Sequence, residues 1–147
     1  MRTPASIGSH PIHPMLVTLP IGLWVFSLIC DVIGLGAADP AIWFTVAFFT
    51  MVGGVIGAVI AAVPGLIDVL YYQGGVPLVK KIALTHMAIN LAAVLLYALN
   101  IWLRVNGEGS MQLPVALSVI GGGKICVSGW LGGQMVHVYG VGVEKRE

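Results

Sequence analysis

The chain has 147 residues, of which 58% are hydrophobic and 9% are charged, and its mean hydropathy is +0.97. Soluble domains carry roughly 25% charged residues, so this chain has too few charges to cover a water-facing surface. The composition therefore predicts a protein embedded in a lipid membrane. The formal net charge of +1 argues against nucleic acid as a partner.

Four uncharged runs follow one another along the chain, and each provides the roughly 20 apolar residues of a spanning helix. They predict helices at about 13–34, 41–70, 80–104 and 113–139, within a single domain over 1–147. Glycine and proline cluster in the three separators, as helix ends require. Because the separators are short, neighbouring helices must be antiparallel. The predicted fold is an all-α, integral membrane four-helix bundle with up-down-up-down topology.

Lysine and arginine predict the orientation, because they concentrate in cytoplasmic loops. The end that holds both termini and the second loop has five of them, namely Arg2, Lys80, Lys81, Lys145 and Arg146. The other two are Arg104, at the opposite end, and Lys124, inside the fourth helix. This distribution predicts that both termini are cytoplasmic.

The first and third predicted helices each carry one polar face. At 100° per residue, five residues of each helix fall within about 40° of one line. They are His13, Pro20, Trp24, Ser27 and Asp31 in the first helix, and His86, Asn90, Tyr97, Asn100 and Arg104 in the third. Polar side chains on a lipid-embedded helix are expected to face the bundle interior. We predict an ion pair between Asp31 and Arg104 that fixes packing and topology.

Small residues mark the second and fourth helices. In the second helix they recur every four residues, at Gly53, Gly57, Ala61 and Gly65. Such spacing lets helices approach closely. In the fourth helix, Gly129 and Gly133 lie two turns and one turn before His137. Tight packing is the first interpretation of these glycines, and the second is that Gly129 and Gly133 leave room for a flat ligand.

The antiparallel topology brings ionisable residues from the whole chain to one end of the bundle. His10 and His13 precede or begin the first helix, and Asp68 ends the second. His86 begins the third helix and His137 ends the fourth. Ionisable groups at membrane depth are costly, so this cluster is the candidate functional site.

Four segments carry a resemblance to a known family. They are SHPIHPMLV at 9–17, PGLID at 64–68, His86 with Asn90, and GWLGGQMVH at 129–137. Together they resemble an uncharacterised group of small four-helix bacterial membrane proteins, a domain of unknown function with an N-terminal HPxHP motif. The resemblance covers nearly the whole chain and implies a place in the bacterial inner membrane. Some relatives are fused to Rieske iron–sulfur or cytochrome c modules, which implies redox work by analogy.

The first functional hypothesis is non-covalent binding of haem b for electron transfer. Haem iron accepts neutral imidazole, and helix bundles hold haem between facing helices. His86 and His137 are the first candidate axial pair, and His13 is the alternative partner for His86 across the diagonal. Asn90 or Asp68 is expected to orient a ligating imidazole through its second nitrogen. Such a protein requires a separate redox partner.

Two other classes stay open. The first is a metal site for zinc or non-haem iron, with ligands drawn from His10, His13, His86, His137 and Asp68. The second is a non-catalytic accessory subunit of a larger membrane complex, or a homo-oligomer, in which the small-residue stripes pack against further helices. The sequence presents no nucleophile–base pair and no phosphate loop, so a redox carrier or subunit is predicted rather than an independent enzyme.

The sequence also shows a weak sign of an internal repeat. His13 and His86 are 73 positions apart, and so are Asp31 and Arg104. Two matches in the sequence do not establish a repeat.

Overall fold

Four long helical segments make up the computed structural model, which describes residues 4–8, 10–72, 76–107 and 110–143. The segments are α1 (Ile12–Leu16) with α2 (Thr18–Gly36), then α3 (Pro40–Leu70), α4 (Pro77–Asn106), and α5 (Gln112–Gly133), which a π-helical segment (Gln134–Val138) extends. They pack as an antiparallel bundle. The prediction of an all-α, up-down-up-down four-helix fold is therefore confirmed.

Proline and aspartate define where α3 and α4 begin. Pro40 and Pro77 occupy the first turn of their helices, where the missing N–H would have no helical partner in any case. The side chain of Asp39 accepts a hydrogen bond from the Ala41 backbone N–H at 3.2 Å, which caps the start of α3. The short connections thus reverse the chain at the places where the sequence predicts turns.

Two local features were not predicted. Ser6–Ile7 (β1) and His10–Pro11 (β2) pair as a short antiparallel ladder before α1. Gly8 lies between them with φ 62°, a left-handed conformation that favours glycine. At the other terminus, α5 gives way to the π-helix after Gly133, so the residues that follow do not keep the 100° spacing of an α-helix.

The outer surface of the bundle is apolar. Four segments are long and apolar enough to cross a membrane: Ile12–Gly36, Pro40–Leu70, Pro77–Asn106 and Gln112–Val138. Leu70 is 71% exposed and Trp130 is 72% exposed, and apolar patches of this extent mark a membrane-facing surface. The chain is a multi-pass membrane protein. Its orientation stays a prediction, and Arg2, Lys145 and Arg146, which support it, lie outside the described residues.

The helices form a ring in which α2 contacts α3 and α5, and α4 contacts the same two neighbours. As a result, α2 and α4 face each other across the bundle centre. The core cluster takes one residue from each helix, namely Trp24, Met51, Tyr97 and Ile125. The rings of Trp24 and Tyr97 stack with centroids 4.4 Å apart and planes 13° from parallel.

Two glycines make room for this aromatic stack. A Cβ atom added to Gly54 would lie 2.5 Å from Cδ1 of Trp24, and one added to Gly121 would lie 2.6 Å from Cζ of Tyr97. Both distances are too short for a real contact. Glycine is therefore required where α3 passes Trp24 and where α5 passes Tyr97.

The two halves of the bundle are built alike. Positions in α1 and α2 correspond to positions 73 residues later in α4, as Asp31 and Arg104 do. Positions in α3 correspond to positions 67 residues later in α5, as Gly54 and Gly121 do. The two halves also share an equivalent hydrogen bond between their helices.

Ser27 Oγ donates to the carbonyl oxygen of Ala47 at 2.9 Å, and Asn100 Nδ2 donates to that of Pro114 at 2.8 Å. The donors are 73 positions apart and the acceptors 67. Each hairpin thus joins its two helices by the same kind of bond at the same level.

Corresponding residues also meet across the centre of the bundle. Trp24 stacks on Tyr97, Asp31 pairs with Arg104, and the ring of His13 contacts the ring of His86. Equivalent positions contact each other when a two-fold axis relates the two halves. Here the axis runs along the bundle, as in membrane proteins built from parallel repeats. The halving seen faintly in the sequence is an internal structural repeat.

Candidate functional site

His13 is held by the backbone of the helix beside it. Its Nδ1 lies 2.8 Å from the carbonyl oxygen of Ala61. Because a carbonyl only accepts, Nδ1 donates this bond, and Nε2 is the ring nitrogen that is left to act as a ligand. Gly65 lies under the ring, and a Cβ atom there would be 2.7 Å from Nδ1. Backbone geometry thus fixes both the orientation and the tautomer of His13.

His86 is held in the same way by the other hairpin. Its Nδ1 lies 2.9 Å from the carbonyl oxygen of Ser128, and its Nε2 lies 2.9 Å from Nδ2 of Asn90. The Asn90 amide donates to Nε2, so the network satisfies a neutral ring that carries its proton on Nδ1. Ser128 Oγ completes the network by donating to Oδ1 of Asn90 at 2.9 Å.

The supports of the two histidines are related by the internal repeat. Ala61 and Ser128 are 67 positions apart, and so are Gly65 and Gly132, the glycines that face the two rings. A Cβ atom on Gly132 would lie 3.5 Å from Cε1 of His86. In each hairpin, one imidazole faces the axis. It is hydrogen-bonded to an equivalent carbonyl oxygen and lies beside an equivalent glycine.

The two imidazoles meet at one end of the bundle interior. Their ring centroids are 6.3 Å apart and their planes are 89° from each other. Both side chains are half-buried. His86 lies nine residues into α4, or about 14 Å along its axis at 1.5 Å per residue. Imidazole in its neutral form is a common metal ligand, so two imidazoles in this arrangement are suited to ligating a metal centre.

The remaining predicted site residues differ in how far they are buried. His10 and His137 are exposed, and Asp68 is half-buried near the end of α3. Across residues 4–8, 10–72, 76–107 and 110–143, no three His, Cys, Asp or Glu side chains form a group that could hold a metal ion. The five-residue metal site therefore remains a prediction without support from the described geometry.

His137 and Gly133, which the sequence suggests as parts of the site, lie at the end of the fourth helical segment. His137 lies in the π-helical segment and is exposed, and the histidine whose ring contacts His86 is His13. A Cβ atom on Gly133 or Gly129 would meet no heavy atom within 4 Å. Gly132, which the sequence analysis did not single out, is the glycine that faces His86.

The predicted ion pair lies at the opposite end of the bundle interior. Nη2 of Arg104 donates to the two carboxylate oxygens of Asp31 at 2.8 Å and 2.7 Å. The side chains are 3% and 0% exposed. Ser118 Oγ donates to Asp31 at 2.6 Å, and Arg104 Nε donates to Oδ1 of Asn100 at 2.9 Å. The pair is confirmed, and Ser118 is a member of the network that the sequence analysis missed.

The fold and this interior define a class: small multi-pass membrane proteins made of two like hairpins, with a histidine pair on the axis and a buried ion pair at the far end. The chain belongs to the family described as predicted membrane protein (DUF2231), whose sequence profile matches residues 9–145. The resemblance found in the sequence to a membrane protein family of unknown function is confirmed. No curated protein and no solved structure matches this chain.

Proposed function

We propose that this protein binds b-type haem between His13 and His86 and carries electrons at that end of the membrane. One observation carries the proposal: two equivalent histidines meet on the two-fold axis with ring centroids 6.3 Å apart.

The hydrogen bonds of the two rings favour ligation through Nε2. A ligating histidine usually donates its other ring N–H to a backbone carbonyl or carboxylate, which orients the ring. His13 and His86 both make this bond through Nδ1, to Ala61 and Ser128. In His86 the Asn90 amide contacts Nε2 at 2.9 Å, so Asn90 has to turn away when iron binds.

The separation of the rings suits a shared metal centre. A metal ion bound at about 2 Å from each of two imidazole nitrogens holds the ring centroids about 6 Å apart, because each nitrogen lies roughly 1 Å from its own centroid. The observed 6.3 Å matches this distance. Edge-to-face packing of two rings gives a similar separation, so the distance supports the proposal together with the hydrogen bonds of the two rings.

The number of ligands favours haem over zinc or non-haem iron. Protein zinc sites use three or four protein ligands, whereas haem supplies its own four nitrogens and needs only axial ligands from the protein. The described residues bring two histidines together and offer no group of three potential ligands. A pair is sufficient for haem and insufficient for the other metals.

When bound, haem supplies an iron that exchanges one electron at a time. His13 and His86 hold the group, Ala61 and Ser128 fix the ring orientations, and the apolar helices around the site exclude water. The site lies toward the end of the bundle that holds both termini, so a separate redox partner is expected to dock at that end. With the predicted orientation, this is the cytoplasmic side.

A second candidate function has one specific observation in its favour. The contacts among His86, Asn90 and Ser128 satisfy every polar atom of these side chains without any cofactor. Interhelical hydrogen bonds of this kind stabilise membrane bundles. In this case the histidine pair joins the two hairpins, and the protein is a non-catalytic subunit of a larger membrane complex.

The two candidates are separated by a visible absorption spectrum of the detergent-purified protein. The haem proposal predicts a Soret band that moves on reduction with dithionite, either as purified or after titration with haemin. His13→Ala and His86→Ala should each abolish the band. His10→Ala and His137→Ala are the matched controls, because both residues are exposed histidines, and they should keep it.

Wild-type protein that is colourless and binds no haemin would exclude the proposal and favour the packing candidate. A band that survives His13→Ala and His86→Ala would exclude these ligands. Thermal unfolding of each variant shows whether the loss of the band reflects the loss of a ligand or the loss of the fold.

A further inference from the structure

An apolar groove with three lysines lies on the outer side of α4, where Lys124 of α5 reaches it. Its volume is about 700 Å³. The residues that line it are Pro77, Lys80, Lys81, Leu84, Thr85, Ala88, Ile89, Ala92 and Lys124. None of these is acidic, so the groove combines an apolar wall with unbalanced positive charge.

Lys124 lies near the middle of its membrane-spanning segment, Gln112–Val138. It forms no hydrogen bond or ion pair with any residue that the structure describes. An ionisable residue at this depth is costly and usually serves a function with a specific partner. Among the described residues no anion offsets the charge of Lys124, so an anion from outside the chain would stabilise its ammonium group.

The internal repeat shows that the architecture does not need a lysine here. The position in α3 that corresponds to Lys124 is Gly57, and the position in α2 that corresponds to Ala92 is Leu19. A Cβ atom on Gly57 would lie 3.2 Å from Cδ2 of Leu19, so the first hairpin is closed at this level. At the same level the second hairpin has the small side chain of Ala92 and the long side chain of Lys124, and the groove lies between its two helices.

We propose that this groove binds one anionic phospholipid. Lys80 and Lys81 hold its phosphate from the outer end of the groove. Lys124 extends its amine toward the same phosphate from the level of Ala92, and part of an acyl chain lies against Ala88 and Ile89. Basic pockets between transmembrane helices recognise anionic headgroups in this way. The long lysine stems let the amines extend toward the interface, and the headgroup can sink locally to meet a charge inside the bilayer. The proposal does not depend on haem at the histidine pair.

The test uses the delipidated full chain in detergent, with native mass spectrometry to count bound lipids. Phosphatidylglycerol and phosphatidylcholine with the same acyl chains are titrated separately. A lysine near the membrane surface contributes about fivefold in affinity for anionic lipid. We expect the preference for phosphatidylglycerol to fall about fivefold in Lys124→Met and further in the double variant Lys80→Gln, Lys81→Gln. Lys124→Arg keeps the charge and should keep the preference.

Equal binding of the two lipids by the wild type would overturn the proposal, and so would an unchanged preference in Lys124→Met. Inorganic phosphate should not displace the lipid, and complete displacement would assign the site to free phosphate. A dimer mass that Lys124→Met abolishes would assign the groove to a second copy of the chain. Lys124→Met removes a charge from the bilayer interior, and an unchanged melting temperature would show that the fold is intact.

Discussion

Loss of one partner of the Asp31–Arg104 ion pair is expected to destabilise the bundle strongly. Arg104→Leu leaves the carboxylate of Asp31, which is 0% exposed, with the Ser118 hydroxyl as its remaining donor among the described residues. Breaking a buried ion pair in this way costs about 3–5 kcal/mol, because an uncompensated charge stays buried. Asp31→Leu should cost a similar amount, since it leaves the guanidinium of Arg104 without its anion.

The double variant is expected to recover most of this loss. Asp31→Leu with Arg104→Leu removes both charges, and replacing a buried pair by apolar residues is often neutral or stabilising. Two further hydrogen bonds are lost, from Ser118 Oγ to Asp31 and from Arg104 Nε to Asn100, and a hydrogen bond between side chains in a membrane protein is worth about 0.6 kcal/mol. We therefore expect the double variant to unfold within about 1–2 kcal/mol of the wild type.

The assay is reversible unfolding in mixed micelles, followed by the fluorescence of the tryptophans. The three variants form a double-mutant cycle, in which the coupling free energy measures the pair. Arg104→Lys is the control, because it keeps the charge but not the forked geometry. A double variant whose loss equals the sum of the two single losses would refute the reasoning, as would a cost of less than about 1 kcal/mol for Arg104→Leu.

Three further predictions concern packing, cofactor affinity and orientation. Gly121→Ala places a methyl group 2.6 Å from Cζ of Tyr97 and should cost about 1–3 kcal/mol in the same unfolding assay. Gly123→Ala meets nothing within 4 Å and should be neutral or stabilising, so equal losses would contradict the packing. Asn90→Leu frees Nε2 of His86 and should raise haemin affinity in a titration, whereas weaker binding would count against His86 as a ligand. A fluorescent protein fused to the C-terminus should fluoresce and alkaline phosphatase there should be inactive, and the reverse result would overturn the predicted orientation.

The helix faces could be predicted because they depend on spacing alone. The α-helical period placed Trp24, Ser27 and Asp31 on one line, and all three are buried. It placed Asn100 and Arg104 on the matching line of the third helix, which led directly to the ion pair. Charged and aromatic side chains are rare enough in these helices for the pattern to be read without ambiguity.

The supports of the histidines could not be predicted, because they are backbone atoms. The acceptors of His13 and His86 are the carbonyl oxygens of Ala61 and Ser128, and every residue has such an oxygen. The choice of His137 as the first partner of His86 assumed an unbroken α-helix. The chain adopts a π-helix directly after Gly132 and Gly133, and glycines at that place are equally compatible with close packing of an unbroken α-helix.

Two like hairpins joined by one short connection should also assemble as separate polypeptides. Residues 1–73 and 74–147, expressed together, are expected to reconstitute the bundle, because Trp24 and Asp31 of one half contact Tyr97 and Arg104 of the other. Asp31 in one half and Arg104 in the other make this association heterotypic, since two copies of either half would bring like charges together at the axis. The ion pair is therefore expected to favour the pairing of unlike halves over the pairing of two copies of the same half.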